Sequence, residues 1–199
     1  MKSKNLLLGL APWVLFSMIA ERLGTGAVGF AALVACAGSL LLAVRGARTD
    51  GLKIIDAAGV ATFGVIAAIG FSGGHHTQSL LVDYGRGGSA LVLALIMLLS
   101  VVTVPFTEQY SRPAIDRRYW GSPVFRTLNR RISLLWAGLI LAMAACHLAS
   151  GAVAATGHGN QGNLLLNWVF PILLVLFGFR RTEQIAGTAG LGRRPEAEA

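Results

Sequence analysis

The sequence predicts an all-α fold: an integral membrane, six-helix transmembrane bundle with both termini cytoplasmic. Three observations carry that prediction. The 199 residues are 54% hydrophobic and only 13% charged, where a soluble domain carries roughly 25%, so too little polar surface is present to cover a soluble core. The apolar residues gather into six stretches. Of the 17 Lys and Arg residues, 15 fall in segments that share one side of a membrane if all six stretches cross it.

The stretches are 5–20, 24–44, 54–71, 88–106, 132–154 and 164–179. A membrane-crossing helix needs roughly 20 mainly apolar residues at 1.5 Å each. The second, fourth and fifth meet that length outright. The first, third and sixth reach it with flanking residues such as Leu23, with local thinning of the bilayer, or with aromatic and basic anchors at the interfaces. Lys2 and Lys4 before an apolar run imitate a signal peptide, but Met18 and Ile19 stand where a cleavage site wants small residues, and Pro12 with Trp13 interrupts the run. The first helix is therefore expected to be retained. Residues 1–181 form the transmembrane domain, and residues 182–199, rich in Gly, Ala and charge, are expected to be a disordered cytoplasmic tail.

Charge sets the orientation. Lys2 and Lys4 precede the first span, and Arg45, Arg48 and Lys53 follow the second. Arg112, Arg117, Arg118, Arg126, Arg130 and Arg131 follow the fourth, and Arg180, Arg181, Arg193 and Arg194 follow the sixth. Only Arg22 and Arg86 lie on the opposite side. Positive charge accumulates on the cytoplasmic side, so both termini are expected in the cytoplasm. The net charge of +8 is thus a topology signal, and no nucleic-acid partner is needed to explain it.

Packing between spans is expected to use small residues, because lipid supplies no hydrophobic drive for helix association. Ala31 and Ala35, then Ala57, Ala61, Gly64 and Ala68, then Ala145 and Ala149 form such stripes. Cys36 and Cys146 differ in depth by roughly 9 Å on the helical rise and are expected to stay unpaired as small buried hydrophobes. Pro12 and Pro171 interrupt the first and sixth spans, a feature of transporter sites. Their positions do not match under an inverted repeat, and the sequence shows no internal repeat.

Groups able to carry chemistry are sparse. Asp56 is the third residue of its span and is expected at the headgroups, favoured by the helix dipole. Glu21 and Arg22 stand at an external boundary, and Asp83 in an external loop. No G-x-S-x-G, phosphate loop or H-E-x-x-H is present, and nothing asks for catalysis. No cofactor is expected on the main reading. The four histidines all fall on the external half: His75 and His76 in a loop, His147 in the outer part of the fifth span, and His158 in the next loop. Imidazoles bind transition metals, and four in one region offer a metal site or a pH-responsive cluster. The plainer reading makes them solvated turns and a hydrogen-bonding intramembrane histidine, since no metal-ligand spacing recurs.

The connection 107–131 is the most distinctive segment. Its six arginines outweigh Glu108 and Asp116 and alternate with Tyr110, Tyr119, Trp120 and Phe125. Arginines contribute about 1 kcal/mol each near anionic lipid and aromatic rings favour the interface. Arg112, Arg117, Arg118, Tyr119, Trp120, Arg126, Arg130 and Arg131 are the expected contacts to anionic lipid or to a protein partner. The runs Pro105-Phe106-Thr107-Glu108-Gln109-Tyr110, Tyr119-Trp120-Gly121-Ser122-Pro123-Val124-Phe125 and Asn129-Arg130-Arg131-Ile132-Ser133 leading to Trp136 resemble a pattern in bacterial membrane proteins. More loosely, the chain is similar to the intracellular septation protein A type of small inner-membrane protein. That resemblance implies cell-envelope or division support without catalysis and carries over no catalytic residue. The chain is thus expected in the bacterial cytoplasmic (inner) membrane as a non-enzymatic envelope or scaffold protein whose basic loop meets anionic lipid or a membrane-protein partner, with a homo-oligomer as a further option. The alternative is a small transporter or metal-handling or sensing protein using the external histidines.

Overall fold

The computed structural model describes residues 3–156 and 164–188, with side chains from Leu7 onward. It is helical throughout, with no strand among the described residues. The long helices are α1 (Ser3–Leu23), α2 (Val28–Thr49), α3 (Ile54–Ser72), α4 (His75–Val102) and α6 (Pro123–Ala155). A short helix, α5 (Phe106–Ser111), precedes α6, and a π-helical turn (Leu165–Val169) leads into α7 (Phe170–Thr188). Five helical segments, Thr25–Thr49, Ile54–Ser72, His75–Val102, Pro123–Ala155 and Leu165–Thr188, are long and apolar enough to cross a membrane. Their outward faces carry Leu41, Leu99 and Val102, each at least 69% exposed. In water that surface would drive aggregation, whereas hydrocarbon covers it without cost. The chain is a multi-pass membrane protein.

Helices α2 and α3 form one tight pair, and α4 and α6 another; α3 packs on α4 to join the pairs, α1 lies against α2, α3 and α4, and α7 leans on α6. Glycine makes the closest crossings. A Cβ on Gly70 of α3 would lie 2.7 Å from the Gly29 Cα of α2, and one on Gly87 of α4 would lie 2.7 Å from the Leu148 side chain of α6. The small-residue expectation holds for Ala31 and Ala35, which are fully buried. It holds in part for the α3 stripe, where Ala57 and Gly64 are half-buried but Ala61 and Ala68 are exposed, and fails for Ala145 and Ala149, which are exposed. The buried face of α3 instead follows Ile55, Ala58, Phe63, Ile66 and Gly70, and that of α6 follows Ala137, Ile140, Ala144, His147 and Gly151. Large residues and glycines share those faces, and alanine spacing alone does not report it. Both cysteines are free.

Three boundaries differ from expectation. The stretch 75–87, expected as a loop around His75, His76 and Asp83, is the first half of α4. Gly85, Gly87 and Ser89 are buried there, so packing against α6 overrides the low helix propensity of glycine. Helix α6 begins at Pro123, well before 132, where the Ser122 hydroxyl accepts from Phe125 N and Pro123 occupies the first turn. The tail expected from residue 182 is helical to Thr188, because Thr182 is buried and its hydroxyl accepts from Trp136 Nε1 at 3.1 Å. Residues 189–199 lie outside the described residues.

Candidate functional site

The arginine-rich segment resolves into two layers. Its inner layer is α5, on which Phe106, Thr107, Glu108, Tyr110 and Ser111 are buried. Thr107 Oγ1 donates to the Asn129 carbonyl at 2.8 Å and lies 2.8 Å from Ser133 Oγ, and Ser111 Oγ donates to Asn129 Oδ1 at 2.9 Å. Gln109 Oε1 accepts from Ile54 N at 2.9 Å, capping the start of α3. The first and third of the distinctive runs therefore meet in one buried network that fixes α5 between α3 and α6. Their role there is structural.

The outer layer is an arginine and aromatic face. Arg117, Arg118, Tyr119, Arg126, Arg130 and Arg131 are exposed, and Arg112 and Trp120 are half-buried. Arg112 and Arg117 sit over the Trp120 ring at 5.1 and 5.5 Å, and Arg118 over Tyr119 at 4.8 Å. Trp120 Nε1 is anchored on the Ile115 carbonyl at 2.9 Å. Arg112 is additionally tied to the buried Glu108 at 2.6 Å. These contacts bring together Arg112, Arg117, Arg118, Tyr119 and Trp120, while Arg126, Arg130 and Arg131 are exposed along the first turns of α6.

Above α5 lies a feature the sequence concealed. Asp56, expected at the headgroups, is 4% exposed inside the bundle. It sits in the first turn of α3 near Gly9, Gly46 and Tyr110, and its Oδ1 has no hydrogen-bond partner among the described residues. Its neighbours come from α1, α2 and α5, so the burial rests on contacts between segments distant in sequence. Burial pushes the Tyr110 phenol well above its ordinary range, and the Asp56 carboxylate beside it adds to the effect.

The three histidines among the described residues do not converge. His75 and His76 are exposed in the first turn of α4, His147 is buried on α6, and His158 lies outside the described residues. No group of three His, Cys, Asp or Glu side chains able to hold a metal occurs among the described residues. His147 Nδ1 lies 2.9 Å from Asn167 Oδ1, and Asn167 Nδ2 donates to Ser150 Oγ at 2.9 Å.

That pair lines a cavity of about 300 Å³ between α1, α4, α6 and α7. Its body is apolar, formed by Leu10, Trp13, Leu93, Ile140, Met143 and Val175. Its polar end is built on Arg86, whose Nη2 donates to Glu21 Oε2 at 2.8 Å and to the Ser17 carbonyl at 2.8 Å. Trp168 Nε1 donates to both Glu21 oxygens, and the Arg86 guanidinium stands 5.6 Å from the Trp168 ring. Burial alone would raise the Glu21 carboxyl; the hydrogen bonds from Arg86 and Trp168, with the charges of Arg86 and Arg22, outweigh it and hold the group below its ordinary value. The π-helical turn supplies both Asn167 and Trp168. Pro171, four residues beyond Asn167, cannot donate into an α-helical ladder there, and a widened turn accommodates it. In the sequence Arg86 reads only as one of two charges on the sparse side; its partners come from α1 and from the π turn, far apart in the chain.

No protein-family model, curated protein or solved structure matches this chain.

Proposed function

We propose that the protein is a non-enzymatic, six-span component of the bacterial inner membrane, with α1 as the sixth crossing helix and both termini cytoplasmic. In this reading the arginine and aromatic face rests on the anionic cytoplasmic leaflet and gives the protein an envelope or scaffold role, of the kind its resemblance to septation-type proteins implies. The observation that carries the reading is the arrangement of exposed arginines over Tyr119 and Trp120, held rigid by the network beneath. Guanidinium groups stacked on aromatic rings at a helix-bundle end match the headgroup layer in both charge and polarity. At about 1 kcal/mol for each arginine near the surface, four of them discriminate strongly between charged and neutral lipid.

The test is lipid selection. In nanodiscs of mixed phosphatidylcholine and phosphatidylglycerol, the wild-type protein should enrich phosphatidylglycerol around itself, and the variant carrying Gln at 117, 118, 130 and 131 should lose that enrichment. Equal lipid composition around both proteins would defeat the reading. His147 lining a cavity favours a second reading, a small transporter or metal-handling protein. Stoichiometric zinc, copper or nickel, lost when all four histidines become alanine, would establish it.

A further inference from the structure

The cavity between α1, α4, α6 and α7 has the shape and polarity of one leaflet. Along α1 it runs from Leu7 to Ser17, about 15 Å at 1.5 Å per residue, half of the ~30 Å hydrocarbon core. Polarity is confined to one end, where Arg86, Glu21, His147, Asn167 and Trp168 gather. Below them the walls are almost wholly apolar. The volume of about 300 Å³ is at the small end of ligand pockets, roughly 300–1,000 Å³, which suits a single chain.

The cavity is also open sideways. Helix α7 packs on α6 and makes no substantial contact with α1, and only 17% of its apolar window is buried, against 39–44% for the other four candidate spans. Leu7 and Val14 on one lip and Ile172 and Leu176 on the other are each about half exposed. At the polar end the Glu21–Trp168 hydrogen bonds tie the two lips together. A ligand reaching this space through the slit comes from the bilayer.

Arg86 states what the ligand must present. Its side chain is 11% exposed, Nη2 is fully used, and Nη1 is buried with no hydrogen-bond partner among the described residues. A buried guanidinium with an unused N–H group calls for an anionic oxygen, since an orphaned charged donor is costly. Glu21 neutralises part of the charge from one side but leaves Nη1 unserved.

We infer that this cavity binds one membrane phospholipid, an acyl chain lying between α1 and α7 and the phosphate on Arg86 Nη1. The lipid enters laterally and sits in the leaflet at the histidine end of the bundle, opposite the arginine face, so it is independent of the lipid selection proposed for that face. Native mass spectrometry of the delipidated full chain, titrated with phosphatidylglycerol, reads the binding directly. One saturable lipid per protein is expected, with diacylglycerol of the same chains giving none. Binding should weaken ~10-fold or more in Arg86→Gln, the scale of one lost charged hydrogen bond, and also in Val175→Trp, which fills the apolar body of the cavity about two turns beyond Trp168 and away from the ion pair. Melting curves confirm that both variants are folded. The variant neutralised at 117, 118, 130 and 131 should retain the lipid. Equal binding by diacylglycerol, unchanged binding in both cavity variants, or full displacement by inorganic phosphate alone would overturn the assignment. So would a lipid-free dimer cross-linked through Ile172→Cys, which would give the slit to a second copy of the chain.

Discussion

Replacing Gly70 by alanine tests how closely α2 and α3 are packed. The added Cβ would stand 2.7 Å from Gly29 Cα and 2.9 Å from Gly29 N, whereas carbon atoms rest about 3.5–4.0 Å apart. The obstacle is the backbone of the facing helix, which has no side chain to rotate away, so the two helices must separate by about 1 Å. A gap of that size forfeits a quarter to a half of the dispersion energy along the seam, and overpacking costs about 1–3 kcal/mol. Alanine returns at most about 1 kcal/mol in helix propensity. The net expectation is a loss of up to about 2 kcal/mol. Gly64→Ala on the same helix is the control: its Cβ would meet nothing closer than Cys36 Sγ at 3.8 Å, and it should gain up to about 1 kcal/mol. Reversible unfolding in mixed micelles with increasing dodecyl sulfate measures both. Gly70→Ala proving as stable as Gly64→Ala would refute the close α2–α3 crossing.

Other outcomes follow from the same geometry. Gln109→Ala removes the acceptor for Ile54 N and should cost about 1–2 kcal/mol, with amide exchange at the start of α3 accelerating; unchanged exchange there would contradict the cap. Thr107→Val keeps the shape but removes the hydroxyl that donates to the Asn129 carbonyl and meets the Ser133 hydroxyl, costing about 0.5–1.5 kcal/mol in the same unfolding assay, while Thr127→Val on the exposed side of α6 should be neutral. Glu21 is held below its ordinary value near 4.5, so its contribution to stability is present above that pH and is lost as pH falls through the lower folded value. Melting temperature should therefore drop on acidification below about pH 4.5 in the wild type, and less steeply in Glu21→Gln; parallel curves would show that the ion pair contributes nothing.

The helices themselves were legible because twenty apolar residues without charge have few alternatives to a membrane-crossing helix. Their ends were less so. The segment 75–87 follows Gly73 and Gly74 and contains Gly85 and Gly87, and it reads as a turn until Leu148 and Gly151 of α6 are seen packed against it. The Ser122-Pro123 start of α6 was a readable cap and first-turn signal that hydropathy alone passed over. The arginine face was visible as composition, and the structure adds the rings on which its guanidinium groups rest. Arg86 and Asp56 were misplaced for opposite reasons. Arg86 reads as an external charge because α4 begins about three and a half turns before the apolar run at 88, and Asp56 as a headgroup residue because the groups around it, Gly9, Gly46 and Tyr110, come from three other segments. In each case a contact between segments distant in sequence decided the outcome, and no local pattern encodes it.

The central claim is that the bundle crosses the inner membrane with its arginine face inside. Single cysteines at Arg117 and at His76, introduced in a background where Cys36 and Cys146 are alanine, test it in intact cells with a membrane-impermeant maleimide. The account predicts labelling at residue 76 from outside and at residue 117 only after the cells are opened. Labelling of residue 117 in intact cells, or of neither site after lysis, would contradict it.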